Sequence, residues 1–256
     1  MNRRHFLTTL AAAPLLRAAD APTKKGKVVK LFKSPDGNPN ALEATPDGLW
    51  IGEQCTDRAY LVDWKSGKVK TKVETEASNT SGIAYGAGSL WMGSNGNAIG
   101  RPVRPTDSAT GAVVRVDPKT GKTLARHPIP GGGGVHGLEF ADGKLWITSL
   151  RIKKLSQVDP ETFQVLHQIP VTLDRAHGLA WAPPAIWCMF STDRVIHKLD
   201  AKTGAIQEIV TLTANDPDPH GMCIYKGSLY YCDAGIAPGA KPTNSPSAGY
   251  VCRIDF

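Results

Sequence analysis

Apolar and polar positions alternate in short runs along nearly the whole chain, and the runs come in a repeating order. His136-Gly-Leu-Glu-Phe-Ala-Asp-Gly-Lys-Leu-Trp146 shows the unit: a first run, a tight turn at Asp142-Gly143, and a second run that carries an apolar-aromatic pair. The pair recurs as Leu49-Trp50, Leu90-Trp91, Ile186-Trp187 and Leu229-Tyr230. Period-two alternation on both sides of a glycine turn predicts a β-hairpin. After most copies come a third run, an Asp-x-x-Thr/Ser-Gly turn or a relative of it, and a fourth run. In Asp117-Pro-Lys-Thr-Gly121 the aspartate can accept from the backbone ahead of it, Pro118 presets φ, and Gly121 supplies a left-handed residue. Asp159-Pro-Glu-Thr-Phe163 lacks the glycine, so a different turn is expected there.

Four strands repeating every ~40 residues predict propeller blades. The first runs from about Ala41 to Val73, the second starts near Gly82, and the others start at His136, His177 and His220. The last has only three strands of its own, because the chain ends just after Tyr250-Val-Cys-Arg-Ile-Asp255. The strand-like stretch Gly26 to Lys33 stands alone before the first hairpin and is expected to supply the missing fourth, leaving no open sheet edge. The expected fold is therefore all-β: a five-bladed β-propeller of four-stranded antiparallel blades, closed by an N-terminal strand joining the last blade, with six blades the alternative if that strand nucleates further structure.

A hydrophobic content of 41% over 256 residues fits one well-buried domain, and the repeats argue against dividing it. Residues 1–21 are set apart as a twin-arginine-type signal peptide: Asn2-Arg3-Arg4-His5-Phe6-Leu7, an apolar run to Leu16, then small residues at Ala18, Ala19 and Ala21. Export would place the domain of residues 22–256 in the periplasm or outside the cell. The net charge is +7, and removing the segment's three arginines and one aspartate leaves +5, spread along the chain without a basic run suited to nucleic acid. The apolar run is too short to span a bilayer. A monomer acting on a small-molecule ligand, with no nucleic acid and no membrane span, is expected. Cys55, Cys188, Cys223, Cys232 and Cys252 lack zinc-site spacing; a Cys232–Cys252 disulfide and five free thiols are both open.

In a propeller the loop entering each first strand and the loop leaving the second open on one face, around the mouth of the central channel. At the first position the repeats carry Asn40, Ser81, His136, His177 and His220; thirteen residues later they carry Glu53, Ser94, Ser149, Phe190 and Asp233. Three imidazoles and two carboxylates around one opening could do acid–base work or hold a divalent cation such as Mg or Ca. His220, Asp233 and Glu53 are the catalytic candidates; Glu53, Asp233 and His136 are the metal candidates. Asn40, His136 and His177 are candidates for ligand contact. Glu43 and Glu139, inside first strands, must face the channel or find a donor. Insertions at 95–110 and 234–249 flank the first blade and could wall a pocket, with Arg101, Arg104 and Lys241 offering charge to an anionic ligand. Either insertion could equally be a surface loop.

Leu49-Trp-Ile-Gly-Glu53, the His-Gly pairs and the Asp-x-x-Thr-Gly turns resemble streptogramin B lyase and gluconolactonase-like propellers over about residues 26–256. In that lyase family a His and a Glu at the mouth act with magnesium to open a cyclic ester by elimination. The resemblance brings His220 with Asp233 closest to that pair; Glu53 matches the Leu-Trp-x-x-Glu pattern, with Asn40 where the His would stand. Ile186-Trp-Cys-Met-Phe-Ser-Thr-Asp-Arg-Val-Ile-His-Lys-Leu-Asp-Ala-Lys-Thr-Gly204 is similar to later blades of glutamine cyclotransferases, which are five-bladed; His177-Gly-Leu-Ala180 replaces the Asn-x-Leu-Glu segment of that family. Three functions stay open: a metal-assisted lyase or hydrolase of a cyclic ester or lactone-like ligand, a non-catalytic periplasmic binding propeller, and a glutaminyl cyclotransferase-like enzyme.

Overall fold

The computed structural model describes residues 21–237, 241–243 and 245–255. The twin-arginine segment lies outside the described residues apart from Ala21. Two strands precede the repeats: β1 (Thr23–Lys25) and β2 (Lys27–Lys33). Blade 1 holds β3 (Pro39–Thr45), β4 (Gly48–Glu53), β5 (Arg58–Val62) and β6 (Val69–Glu74). Blade 2 holds β7 (Thr80–Gly86), β8 (Ser89–Asn95), β9 (Gly111–Val116) and β10 (Thr123–Pro128). Blade 3 comprises β11 (Leu138–Ala141), β12 (Lys144–Ser149), β13 (Lys154–Val158) and β14 (Val165–Pro170). Blade 4 comprises β15 (Ala176–Ala182), β16 (Ala185–Phe190), β17 (Val195–Asp200) and β18 (Ile206–Thr211). Blade 5 begins with β19 (Met222–Tyr225) and β20 (Ser228–Cys232), carries the small hairpin of β21 (Ile236–Ala237) and β22 (Lys241–Pro242), and resumes with β23 (Tyr250–Asp255).

Each blade is a four-stranded antiparallel sheet, and the innermost strands β3, β7, β11, β15 and β19 touch in a closed circle. The fold is a five-bladed β-propeller. β2 pairs antiparallel with β23, Val28 opposite Ile254, and completes blade 5. β1 adds a feature that the repeat pattern does not announce: it runs parallel to β18, with Thr23 opposite Ile209, on the outer edge of blade 4. The N-terminal strands thus clasp blades 4 and 5 together, crossing at Gly26, where a Cβ would stand 2.9 Å from Ile254 Cγ2.

The apolar-aromatic pair explains the ring. Successive side chains on a strand face opposite sides of the sheet, and in a propeller both sides meet a neighbouring blade. Leu49 packs toward blade 5 and Trp50 toward blade 2; Leu90 and Trp91, Leu145 and Trp146, and Ile186 and Trp187 divide in the same sense. Leu229 faces blade 4, and Tyr230 packs against the blade 1 interface. The core is therefore five layers between blades, which is why β4 and β16 are buried throughout and β8 up to Ser94.

The outer turns share one design, including the one without glycine. Asp63, Asp117, Asp159 and Asp200 each accept from the backbone N–H groups two and three residues on. Phe163 occupies the glycine position at φ 58°, beside 69° at Gly67 and 77° at Gly121. The expected different turn does not form: Asp159 sets the backbone, and the Phe163 ring stacks on His127 at 4.1 Å.

All five cysteines are free thiols. Cys232 and Cys252 are on neighbouring strands but on opposite faces of blade 5. Cys232 packs with Cys223 against blade 1, and Cys252 packs toward blade 4. The sheet between them forbids the disulfide that adjacency suggested. Among the described residues no helix is long and apolar enough to cross a membrane.

Candidate functional site

The mouth residues owe their position to bulges. β3 and β4 slip register between Pro39 and Ala41, β7 and β8 between Thr80 and Gly82, and β15 and β16 between Ala176 and Leu179. Asn40, Ser81 and the His177-Gly178 step fall in these slips, and a bulge re-aims a side chain out of the regular pleat. The glycine after each histidine permits close approach of blades. A Cβ on Gly137 would meet His177 O at 1.9 Å, one on Gly178 would meet Met222 N at 2.2 Å, and one on Gly221 would meet Ala41 Cα at 2.4 Å. Gly137→Ala is accordingly expected to lower stability by about 2–3 kcal/mol through overpacking. Thermal unfolding checks it, and a variant as stable as the parent would refute so tight a contact.

The three histidines come together. His136 and His177 have ring centroids 4.6 Å apart, tilted by 54°, and His177 and His220 are 5.1 Å apart, edge to face at 89°. His177 and His220 are buried. Burial depresses all three, with neighbouring imidazole and guanidinium charge adding to it: His136 to about 3, His220 to about 4, and His177 well below its ordinary value. All three are neutral imidazoles at physiological pH. Four buried polar atoms of the mouth lack a hydrogen-bond partner among the described residues: Asn40 Oδ1, His136 Nδ1, and both ring nitrogens of His177. Asn40 uses its Nδ2 to donate to Thr80 O and Ser81 Oγ, each at 3.0 Å.

Two charged residues that the repeat reading passed over belong to this cluster. Arg175, at φ 52°, precedes His177 by two residues, and its Nη2 lies 3.4 Å from His220 Nε2. Asp218 precedes His220 by the same offset. Its carbonyl lies 3.2 Å from His220 Nδ1, and its carboxylate pairs with Arg194 at 2.9 Å. Burial raises Asp218, opposed by Arg194 and Arg175. The offset of two before the mouth position was the available signal; it relates Asn38, Asn79, Gly134, Arg175 and Asp218.

Glu53 and Asp233 stand at the second-strand exits but are turned to backbone. Glu53 accepts from Asn38 N at 2.8 Å and Asp36 N at 3.1 Å; Asp233 accepts from Asp218 N at 3.0 Å, Gly235 N at 2.8 Å and Ser245 Oγ at 3.1 Å. Both are fully buried, and burial lifts Glu53 to about 7 against the pull of its hydrogen bonds. Ser94 holds Ser78 N at 3.0 Å in the same manner. Glu53, Ser94 and Asp233 thereby pin the loops that lead into the inner strands of blades 1, 2 and 5. Among the described residues no three His, Cys, Asp or Glu side chains gather as a metal-holding set, Glu53, Asp233 and His136 included.

Arg101 and Arg104 are likewise occupied. Arg101 bonds Asp57 and Asp107, and Arg104 bonds Asp107 and the carbonyls of Thr75 and Ala77. They fasten the 95–110 insertion to blades 1 and 2. Lys241 is exposed on the blade 5 insertion. Deeper in the ring, Glu43 faces the Tyr85 N–H of blade 2 and Glu139 the Trp181 N–H of blade 4, capping donors on the inner sheet edges.

Fold and mouth together define the class: a five-bladed β-propeller with a histidine-lined opening at one end of its channel. Solved structures are similar to the chain in fold at low sequence identity. Glutaminyl cyclase of Myxococcus xanthus superposes with a TM-score of 0.67 at 11% identity, covering 92% of this chain and 97% of that one. A streptogramin B lyase structure gives 0.52 at 12%, covering 90% and 97%. Virginiamycin B lyase from Staphylococcus aureus gives 0.49 at 18%, covering 88% and 68%. No protein-family model and no curated protein matches the chain. Both resemblances read from the sequence thus hold at the level of fold.

Proposed function

We propose that the protein is an exported enzyme that binds a small cyclic ester or lactone-like ligand at the channel mouth and opens it as a lyase or hydrolase. One observation carries the reading: His177 sits fully buried between His136 and His220, with both ring nitrogens unpartnered. A neutral imidazole held in a buried site is a hydrogen-bond donor suited to polarising a carbonyl and to meeting the negative charge that develops on its oxygen. His136 and His177 would donate to that oxygen, and Asp218, whose Oδ2 lies 3.8 Å from His220 Nε2, is the carboxylate of the cluster able to take a proton. No step is routed through a divalent cation, because the residues offered for one do not gather. Export rests on the sequence of residues 1–21, of which only Ala21 is among the described residues.

The second reading, a non-catalytic binding propeller, is favoured by the engagement of Glu53 and Asp233 with backbone amides, which removes two carboxylates from chemistry. Ring opening of a panel of lactones and cyclic depsipeptides, followed by chromatography, separates the two. Wild type is expected to open at least one member and His177→Ala to lose about 10²-fold or more in kcat/KM with its fold intact. Equal turnover by the variant, or none by wild type, defeats the enzyme reading.

A further inference from the structure

We infer that the mouth binds a carboxylate, held between the Arg175 guanidinium and the N–H groups of His136 and His177. The inference rests on the proposed ligand site and specifies what the ligand must carry there.

The hydrogen bonds identify the donor atom of His136. Asn95 Oδ1 accepts from Val135 N at 3.3 Å, which turns its Nδ2 toward His136 Nε2 at 3.4 Å. Nε2 is then an acceptor, and the imidazole proton sits on Nδ1, the atom without a partner. On His220, Nδ1 lies 3.2 Å from Asp218 O and 3.5 Å from Ala234 N, and Nε2 faces Arg175 Nη2 at 3.4 Å. His177 carries one N–H in either tautomer, and neither nitrogen has a partner. The unmet groups on the histidine arc therefore include two imidazole N–H donors, within electrostatic reach of the Arg175 guanidinium, whose Nη2 faces His220.

Arg175 differs from the other arginines near the insertions. Arg101, Arg104 and Arg194 each have a carboxylate within 4 Å, whereas among the described residues no carboxylate oxygen comes that close to Arg175. The carboxylate nearest in charge, Asp218, is held by Arg194. A half-buried guanidinium without an anionic partner, in the same cluster as two unmet N–H donors, lacks one component: a planar acceptor with two oxygens. A carboxylate supplies it, since its paired oxygens match the guanidinium fork and still leave lone pairs for the imidazoles. Asn40 Oδ1, unpartnered in blade 1, offers an acceptor to an N–H or O–H elsewhere on the same ligand.

The test is a formate titration of the uniformly 15N-labelled full domain, followed by the imidazole nitrogen resonances, with sodium chloride as the control anion. Saturable shifts of His136 and His177 are expected, with chloride weaker. Arg175→Gln should weaken formate binding at least tenfold, equivalent to about 1.4 kcal/mol. Arg175→Lys should recover part of it, and Arg115→Gln, remote from the mouth, should leave it unchanged. Absence of saturable shifts in the wild type overturns the inference. So does equal binding of chloride, or a folded Arg175→Gln that binds formate as well as the parent. Loss of turnover in His177→Ala without formate binding would leave the enzyme reading standing and this one fallen. Formate binding that depends on Arg175, without any ring opening, would do the reverse.

Discussion

Replacing Asp57 by alanine is expected to lower the unfolding free energy by about 3–5 kcal/mol, the range for removing one member of a buried ionic network. Asp57 is fully buried at φ 57° and connects three parts of the chain. Its Oδ1 accepts from Thr80 N at 3.0 Å and Thr80 Oγ1 at 2.9 Å, at the start of the inner strand of blade 2. Its Oδ2 accepts from Arg101 Nε at 2.8 Å, and its carbonyl accepts from Thr75 Oγ1 at 2.6 Å. Alanine would leave the Thr80 N–H without its acceptor and strip one carboxylate from Arg101, while the left-handed backbone adds ~1 kcal/mol of strain. Urea denaturation at unchanged slope measures the loss. Faster proteolysis between residues 95 and 110 should accompany it, because the insertion is fastened through Arg101. Asp57→Asn keeps an acceptor for Thr80 and should cost less. A D57A protein within about 1 kcal/mol of the parent would show that the network contributes little.

The second large effect is on pH dependence. Burial lifts Glu139 to about 8, and burial together with the Glu139 charge lifts Glu43 well above its ordinary value. The folded state therefore holds a proton that the unfolded chain releases near pH 4.3. Stability contributed by Glu139 in its protonated form is full below that value and is lost as the pH rises through about 8. Glu139→Gln keeps a carbonyl to accept from Trp181 N–H and removes the charge. The variant should match wild type near pH 5 and melt several degrees higher at pH 8.5, at roughly 2–4 °C per kcal/mol for a domain of this size. Thermal melts across the range decide it; an unchanged pH slope would mean that the channel carboxylates titrate freely.

How much of this was legible in the chain follows from how local each feature is. The pair Leu145-Trp146 announces a strand buried on both faces, because neither residue can face water for long in a repeated unit. The missing fourth strand of blade 5 points to Lys27–Lys33 by simple accounting of sheet edges, and β2 does pair with β23. The meeting of His136, His177 and His220 was likewise readable, since equal repeat positions converge wherever blades form a ring. Other features depend on partners that no spacing names. Glu53 and Asp233 looked like free rim carboxylates, yet each bonds an amide fifteen residues earlier. Arg101 and Arg104 looked available for a ligand until Asp57 and Asp107 drew them inward.

The repeat in the sequence determined the blade, the number of blades, the closing strand and the arc of histidines, because each depends on periodicity and on the chemistry of single residues. Tertiary structure alone decided which side chains remain unmet. A polar group is available to a ligand only after its neighbours in space have taken their share, and those neighbours come from other blades. Phe163 accepts a left-handed backbone because His127 of the preceding blade supports its ring, and Cys232 and Cys252 are parted by the sheet they share. Arg175 became a feature of the mouth for the same reason: its offset from His177 is in the chain, but only the folded ring shows that Asp218 is already paired with Arg194 and leaves it unanswered.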